Sequence, residues 1–342
     1  MATIRVPEMP PSPFEDALDL KNAFEGWGTD EKTVIGILSH RDEGQRKKIM
    51  SAYEELYNEN LINRLEKELS GDLQEAIYFW MFDPIERSVI MANIAARKSI
   101  DYQVIVEIAC VNSPDELLAI KKVYHARYKQ SLEEDVASHT TGDFRKLLVA
   151  LVSTYRYDGV EINETLAELE AKTLHNSIVA LESISPYDRK EINGSIDQIT
   201  AEILRESIEQ KSFHHDEIVR ILSTRSRAQL NATFNHYKDE YGTSISKDLS
   251  TSLSNEYVSA LRIAIRCIIS PQKYYEKVLR HAMKKAGTDE DALTRVIVTR
   301  AEKDLEDIKE LYQKRTNVTL ESAVHKEISG NYKKFLLALV EE

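Results

Sequence analysis

The chain has 342 residues, 42% hydrophobic and 30% charged, a globular mix long enough for two or three domains or for a repeat array. Glycine (11) and proline (8) are too scarce for an all-β fold with many tight turns, and a net charge of −12 gives no general basic surface for nucleic acid. Two cysteines, Cys110 and Cys267, exclude a disulfide-rich scaffold and a cysteine-cluster zinc site.

In chain order, residues 1–13 read as a tail without an apolar leader, so the expected compartment is the cytoplasm. Gly26-Trp27-Gly28-Thr29-Asp30-Glu31 forms a loop, and Val34, Ile35 and Leu38 continue it as an apolar helical stripe. Gln45 to Leu65, rich in Glu, Lys, Leu and Tyr, suits a surface helix. Ser113-Pro114-Asp115-Glu116 predicts a helix start, with proline in the first turn and acids after it. Ser185-Pro186-Tyr187-Asp188 and Asn193-Gly194 are turn signals inside an apparent insertion from Asn176 to Ala201, which is expected to be removable without unfolding the rest. Ile218, Ile221 and Leu222 repeat the apolar stripe, and Ser270-Pro271 opens a last helical stretch. No alternating Val/Thr runs suggest strands, and no apolar run approaches the roughly 18 residues that span a bilayer.

One pattern recurs four times, as Ile37–Arg41, Ile108–Asn112, Ile221–Arg225 and Val296–Arg300. Twelve residues after each terminal residue lies Tyr53, Tyr124, Tyr237 or Tyr312; thirty after lies Gly71, Gly142, Asn255 or Gly330. Agreement at fixed offsets predicts four homologous all-α units of about 70 residues. They are placed at 14–83, 84–155, 202–269 and 270–342, with a linker and insertion over 156–201.

The loops that begin the units differ as a set. Units one and four carry Gly28-Thr29-Asp30-Glu31 and Gly287-Thr288-Asp289-Glu290, and each has a glutamate forty residues after the glycine, Glu68 and Glu327. Units two and three have Ser99 and Ser212 in the loop, and His139 and Ser252 at the distant position. A bare helix start, with Thr capping and acids favouring the dipole, explains the loop but not the coupled glutamate. Glycines that aim carbonyl oxygens at one point, joined by a remote carboxylate, make an oxygen cage suited to Ca²⁺.

These four units, with Gly-x-Gly-Thr and an acid about forty residues later, resemble annexins, and retention in units one and four is similar to plant annexins. The resemblance implies five short helices per repeat, a curved disc, and Ca²⁺-dependent, reversible docking of its convex face on acidic phospholipid. It implies a first site from the backbone oxygens of Phe24, Gly26 and Gly28 with Glu68. The fourth would use Met283, Lys285 and Gly287 with Glu327, and Lys285 departs from the glycine pattern. An acidic protein and an acidic bilayer repel until a divalent ion bridges them. Trp27, at the loop tip, reads as an interfacial anchor. Lys98 and Lys211, aligned in the degenerate loops, are candidate phosphate contacts.

Rival readings have thinner support. An α-helical scaffold for protein partners such as actin finds only Val219-Arg220-Ile221 as a motif, which also reads as helix core. Peroxidase activity would rest on His40 alone, so no enzyme is expected. Cys110 and Cys267 are possible redox residues, with small core hydrophobes as the default. His214-His215-Asp216 reads as a helix start with solvent-facing histidines.

Overall fold

In the computed structural model, which describes residues 1–26, 28–97, 100–182, 215–251, 255–284 and 287–341, every regular element is an α-helix. The first repeat is α1 (Pro13–Ala23), α2 (Glu31–Leu38), α3 (Glu43–Tyr57), α4 (Leu61–Glu68) and α5 (Gly71–Met81). The second is α6 (Pro84–Ala96), α7 (Tyr102–Val111), α8 (Pro114–Tyr128), α9 (Leu132–Ser138) and α10 (Gly142–Val152). The third is α11 (Glu164–Glu182), α12 (215–224), α13 (Arg227–Tyr241), α14 (Ile245–Thr251) and α15 (Glu256–Ile269). The fourth is α16 (Pro271–Ala282), α17 (Glu290–Arg300), α18 (Leu305–Thr316), α19 (Leu320–Glu327) and α20 (Gly330–Val340).

Local chemistry sets these boundaries. Ser113 caps α8 reciprocally: its Oγ accepts from the Glu116 amide at 3.2 Å, and Glu116 Oε2 accepts from the Ser113 amide at 2.8 Å. Pro114 sits at the first helical position, where its missing N–H costs nothing. The apolar stripes are buried as the periodicity requires: Val34 and Leu38 on α2, Ile218, Ile221 and Leu222 on α12. Burial of each such side chain contributes about 1.5–3 kcal/mol.

The recurring tyrosine is the core pivot of each repeat. Tyr53, Tyr124, Tyr237 and Tyr312 are all buried. Two of them reach the next helix, Tyr124 to Asp135 Oδ2 at 2.5 Å and Tyr237 to Asp248 Oδ2 at 2.8 Å. A buried phenol needs such an acceptor, so the acid opposite it belongs to the same pattern.

In the first and third repeats the arginine that ends the motif ties the second helix to the first, whereas Asn112 donates to Ile108 O in its own helix and Arg300 bonds Asp304 four residues on. Arg41 donates through Nε and Nη2 to the two carboxylate oxygens of buried Asp16 on α1, at 2.7 and 2.8 Å. Arg225 pairs with buried Glu170 on α11, its Nε and Nη2 both meeting the one oxygen Oε1, at 2.9 and 2.8 Å. Asp16 precedes Arg41 by 25 residues, whereas Glu170 precedes Arg225 by 55. Thus α11 fills the first-helix place of the third repeat, packed on α13 as α1 packs on α3. The extra residues lie between α11 and α12, inside the repeat. This differs from the sequence expectation of a linker over 156–201: residues 164–182 are helix, and 183–201 lie outside the described residues. Asn176 to Glu182 includes buried Ser177 and Ile178, so a deletion from 176 would remove core.

The helices form two compact units. One comprises Met1–Arg87 and Gln272–Glu342, uniting the first and fourth repeats; the other, Ser88–Pro271, contains the second and third. Repeats distant in sequence thus share a unit, and the two that keep the glycine loop and glutamate share the same one.

Candidate metal sites

The first loop is drawn tight by its ends. The Asp30 amide donates to Ala23 O at 2.8 Å, closing the chain from the end of α1 to the start of α2. Asp30 then caps α2, accepting from the Thr33 amide at 3.2 Å and the Thr33 hydroxyl at 2.7 Å. The Thr33 hydroxyl and amide hold the Asp30 carboxyl below its ordinary value, so it stays an ionised cap. Between these fixed points Gly26 has φ +130° and Gly28 φ +96°, backbone that residues with a Cβ avoid. Thr29 ties the loop to the end of α4, donating to Glu68 O at 3.3 Å and Glu68 Oε2 at 2.5 Å.

The fourth repeat rebuilds the same device. The Asp289 amide donates to Ala282 O at 3.0 Å, and Asp289 accepts from the Ala292 amide at 3.0 Å as the cap of α17. Gly287 has φ +101°. Thr288 donates to Glu327 O at 3.3 Å, and Glu327, like Glu68, is the last residue of its helix. Gly-Thr-Asp-Glu is thus a helix start in both repeats, and the same loop is tied to the distant glutamate. The aspartate caps, the threonine brings the distant glutamate to the loop, and the glycines bend the backbone. The threonine's tie was not foreseen, although its fixed place after the glycine in both repeats carried the signal.

These residues suit a hard cation. Among the described residues no three His, Cys, Asp or Glu side chains gather at one point, so a cage here draws most of its oxygens from the backbone and one carboxylate from Glu68 or Glu327. Phe24, Gly26, Gly28 and Glu68 are all among the described residues, as are Met283 and Gly287 of the fourth loop and Glu327 at the end of α19. Lys285, Trp27, Lys98 and Lys211 fall outside the described residues. Replacing Gly28 by alanine meets no neighbour within 4 Å but is strained by its φ of +96°. Gly28→Ala is expected to weaken calcium binding several-fold while lowering the melting temperature by only a few degrees, from a local cost of roughly 1–2 kcal/mol. Calorimetry and a thermal melt check the two halves.

The second repeat lacks the device. Its loop closes one residue sooner, from the Asp101 amide to Ala95 O at 2.8 Å. His139, where the glutamate stands elsewhere, has its Nδ1 3.0 Å from Asp135 O and 2.8 Å from Ser138 Oγ. His215 departs from its expected solvent-facing place: it is buried, its ring stacks on Tyr257 at 4.8 Å, and Nδ1 lies 3.2 Å from Asp143 Oδ2. A histidine at the start of α12 is drawn inward because an aromatic face and a carboxylate await it.

The remaining candidates are His40 and the two cysteines. His40 Nδ1 lies 3.0 Å from Gly36 O and 2.9 Å from Ser39 Oγ. Cys110 and Cys267 are fully buried, on α7 and α15, which pack together in the second unit. Burial pushes the Cys110 thiol above its ordinary value, away from the reactive thiolate. Among the described residues no helix is long and apolar enough to cross a membrane.

Comparison with known proteins bears on the four units directly. The Annexin family model matches residues 15–80, 94–151, 199–263 and 274–339. Its third match begins beyond α11, within the residues that the structure leaves undescribed. The chain is 54% identical over 327 residues to Annexin-like protein RJ4 of Fragaria ananassa, covering 95% of each. Among solved structures it aligns with annexin III at a TM-score of 0.84 and 27% identity, over 100% of this chain and 97% of that one. It aligns with calcium-bound annexin (Sm)1 at 0.76 and 25% identity, over 100% and 93%. With four matched repeats, an all-helical fold and relatives of this identity, the chain belongs to the annexin family, on the side of its plant members.

Proposed function

We propose that this protein docks reversibly on acidic phospholipid through Ca²⁺ held in its first and fourth repeats. Membership of the annexin family supports calcium-dependent phospholipid binding in general. The finer assignment rests on one observation: the two repeats that keep glycine and glutamate also share the closing amide bond, the positive φ and the threonine tie, at 3.3 Å in both. The carbonyl oxygens of Phe24, Gly26 and Gly28 with the Glu68 carboxylate would hold one ion; those of Met283, Lys285 and Gly287 with Glu327 would hold the other. The ion supplies positive charge with coordination positions left over for lipid phosphate. The chain's own contribution is geometry, because a net charge of −12 repels an anionic surface without such a bridge.

Each loop alone is a weak binder, in the range of roughly 10⁻⁴–10⁻³ M that loosely held Ca²⁺ shows. Two loops in one compact unit act together through effective concentration, which raises avidity by roughly 10²-fold or more. Co-sedimentation with phosphatidylserine vesicles, titrated with Ca²⁺ and reversed by chelator, tests the reading. Binding that requires both Ca²⁺ and acidic lipid is expected. Failure to bind at millimolar Ca²⁺ overturns it.

A further inference from the structure

An arginine reaches the residues assigned to the first site. Arg64, one turn before Glu68 on α4, places Nη2 2.8 Å from Glu68 Oε1 and 3.4 Å from Phe24 O. Both acceptors belong to the ligand set assigned to the first site. Thr29 occupies the other carboxylate oxygen, Oε2, so neither oxygen of Glu68 is free. The guanidinium carbon also lies 5.7 Å from the centre of the Phe24 ring, on the residue that begins the loop. On its other side Arg64 Nη1 is 3.9 Å from Glu59 Oε1, a carboxylate outside the assigned set.

In the fourth repeat the positions corresponding to Arg64 and Glu59 are Ala323 and Val318. Both members of the arrangement are therefore missing together. Among the described residues, the loop threonine bonds Glu327 at its backbone carbonyl, and no arginine bridges Glu327 to Met283.

We infer that Arg64 is an internal competitor for the first cage, a guanidinium that must leave Glu68 and the Phe24 carbonyl before a divalent ion is held there, and that passes to Glu59 when it does. The inference rests on the assignment of Glu68 and Glu327 as ligands. A carboxylate that meets Ca²⁺ through both oxygens cannot at the same time accept from Arg64 and Thr29. A guanidinium left within a few ångströms of the ion would also repel it, and Glu59 offers a nearby opposite charge. Consequently the first site loads at higher calcium than the fourth, despite its more complete glycine pattern. Membrane docking begins at the fourth repeat and is completed at the first.

The test uses the full chain carrying Glu327→Gln, which isolates the first site, titrated with Ca²⁺ by calorimetry and melted in chelator. Arg64→Gln is expected to tighten calcium binding roughly three- to fivefold, the range a partly exposed ion pair supplies. Lys67→Gln, which removes the same charge from an exposed neighbour on α4, is expected to change it under about 1.5-fold. Glu59→Gln should weaken binding when Arg64 is present and much less once Arg64 is glutamine. Arg64→Lys keeps the charge without the planar fork and should tighten binding part of the way. Melts in chelator report that each variant is folded. No tightening by Arg64→Gln, or equal effects of Arg64→Gln and Lys67→Gln, overturns the competitor. If Glu68→Gln leaves calcium binding unchanged, the ligand assignment itself fails instead.

Discussion

The double variant Glu68→Gln/Glu327→Gln is expected to remain folded and to lose calcium-dependent sedimentation with phosphatidylserine vesicles. Glutamine keeps the length and shape of the side chain, and its carbonyl oxygen can still accept from Thr29, which now bonds Glu68 Oε2 at 2.5 Å. The change therefore removes charge while the loop's other ties persist. Those ties, the Asp30 amide to Ala23 O and the Asp289 amide to Ala282 O, use backbone alone. Loss of the Arg64–Glu68 pair, which is partly exposed, costs about 0–1 kcal/mol. For the ion the expected effect is far larger, since each proposed cage would have a single carboxylate among neutral carbonyls. Either single variant should shift the calcium midpoint upward and leave binding through the other loop. The double variant loses the roughly 10²-fold gain from joint engagement as well. Sedimentation of the double variant at the wild-type calcium midpoint would falsify the assignment of these glutamates.

Much of this arrangement was legible in the chain because fixed offsets translate into fixed geometry when no residue intervenes. The tyrosine twelve residues after each motif falls in the core of every repeat, and the glutamate forty residues after each loop glycine ends the helix against that loop. The same logic fails across an insertion. Counting back from Arg225 without a gap finds no partner acid at the distance that separates Arg41 from Asp16. The partner is Glu170, thirty residues farther off, and only the packing of α11 on α13 identifies it. The pairing of the first repeat with the fourth was also hidden, because it depends on surfaces brought together from opposite ends of the chain. Arg64 was hidden for a different reason. On a helix rich in charge it reads as a solvated side chain, and nothing in its spacing says that a long flexible guanidinium turns back onto the loop.

Arg87→Ala is expected to cause a large loss of stability in the unit that holds the first and fourth repeats. Arg87 is 2% exposed, and burial holds its guanidinium down to about 10, still charged at neutral pH. It donates through Nε to Phe79 O, through Nη1 to Val298 O and through Nη2 to Phe82 O, each at 2.8 Å. Two of these carbonyls belong to the end of α5 in the first repeat, whose last carbonyls have no helical partners; the third lies on α17 in the fourth. Beside it, Arg46 grips Glu302 through Nη1 and Nη2 at 3.0 and 2.9 Å and stacks on Trp80 at 3.9 Å. Arg87 lies 3.7 Å from the same carboxylate. Truncation to alanine leaves three buried carbonyls short of donors and Glu302 with one arginine instead of two, a cost of about 3–5 kcal/mol. For a unit of this size that lowers the melting temperature by roughly 6–20 °C. Arg87→Lys should recover only part of the loss, because one ammonium cannot span carbonyls that point from two repeats. A thermal melt in chelator measures the effect apart from calcium. A melting temperature within a degree of wild type would show that the guanidinium is not what joins the first repeat to the fourth, and that apolar packing of α5 against α17 and α20 suffices.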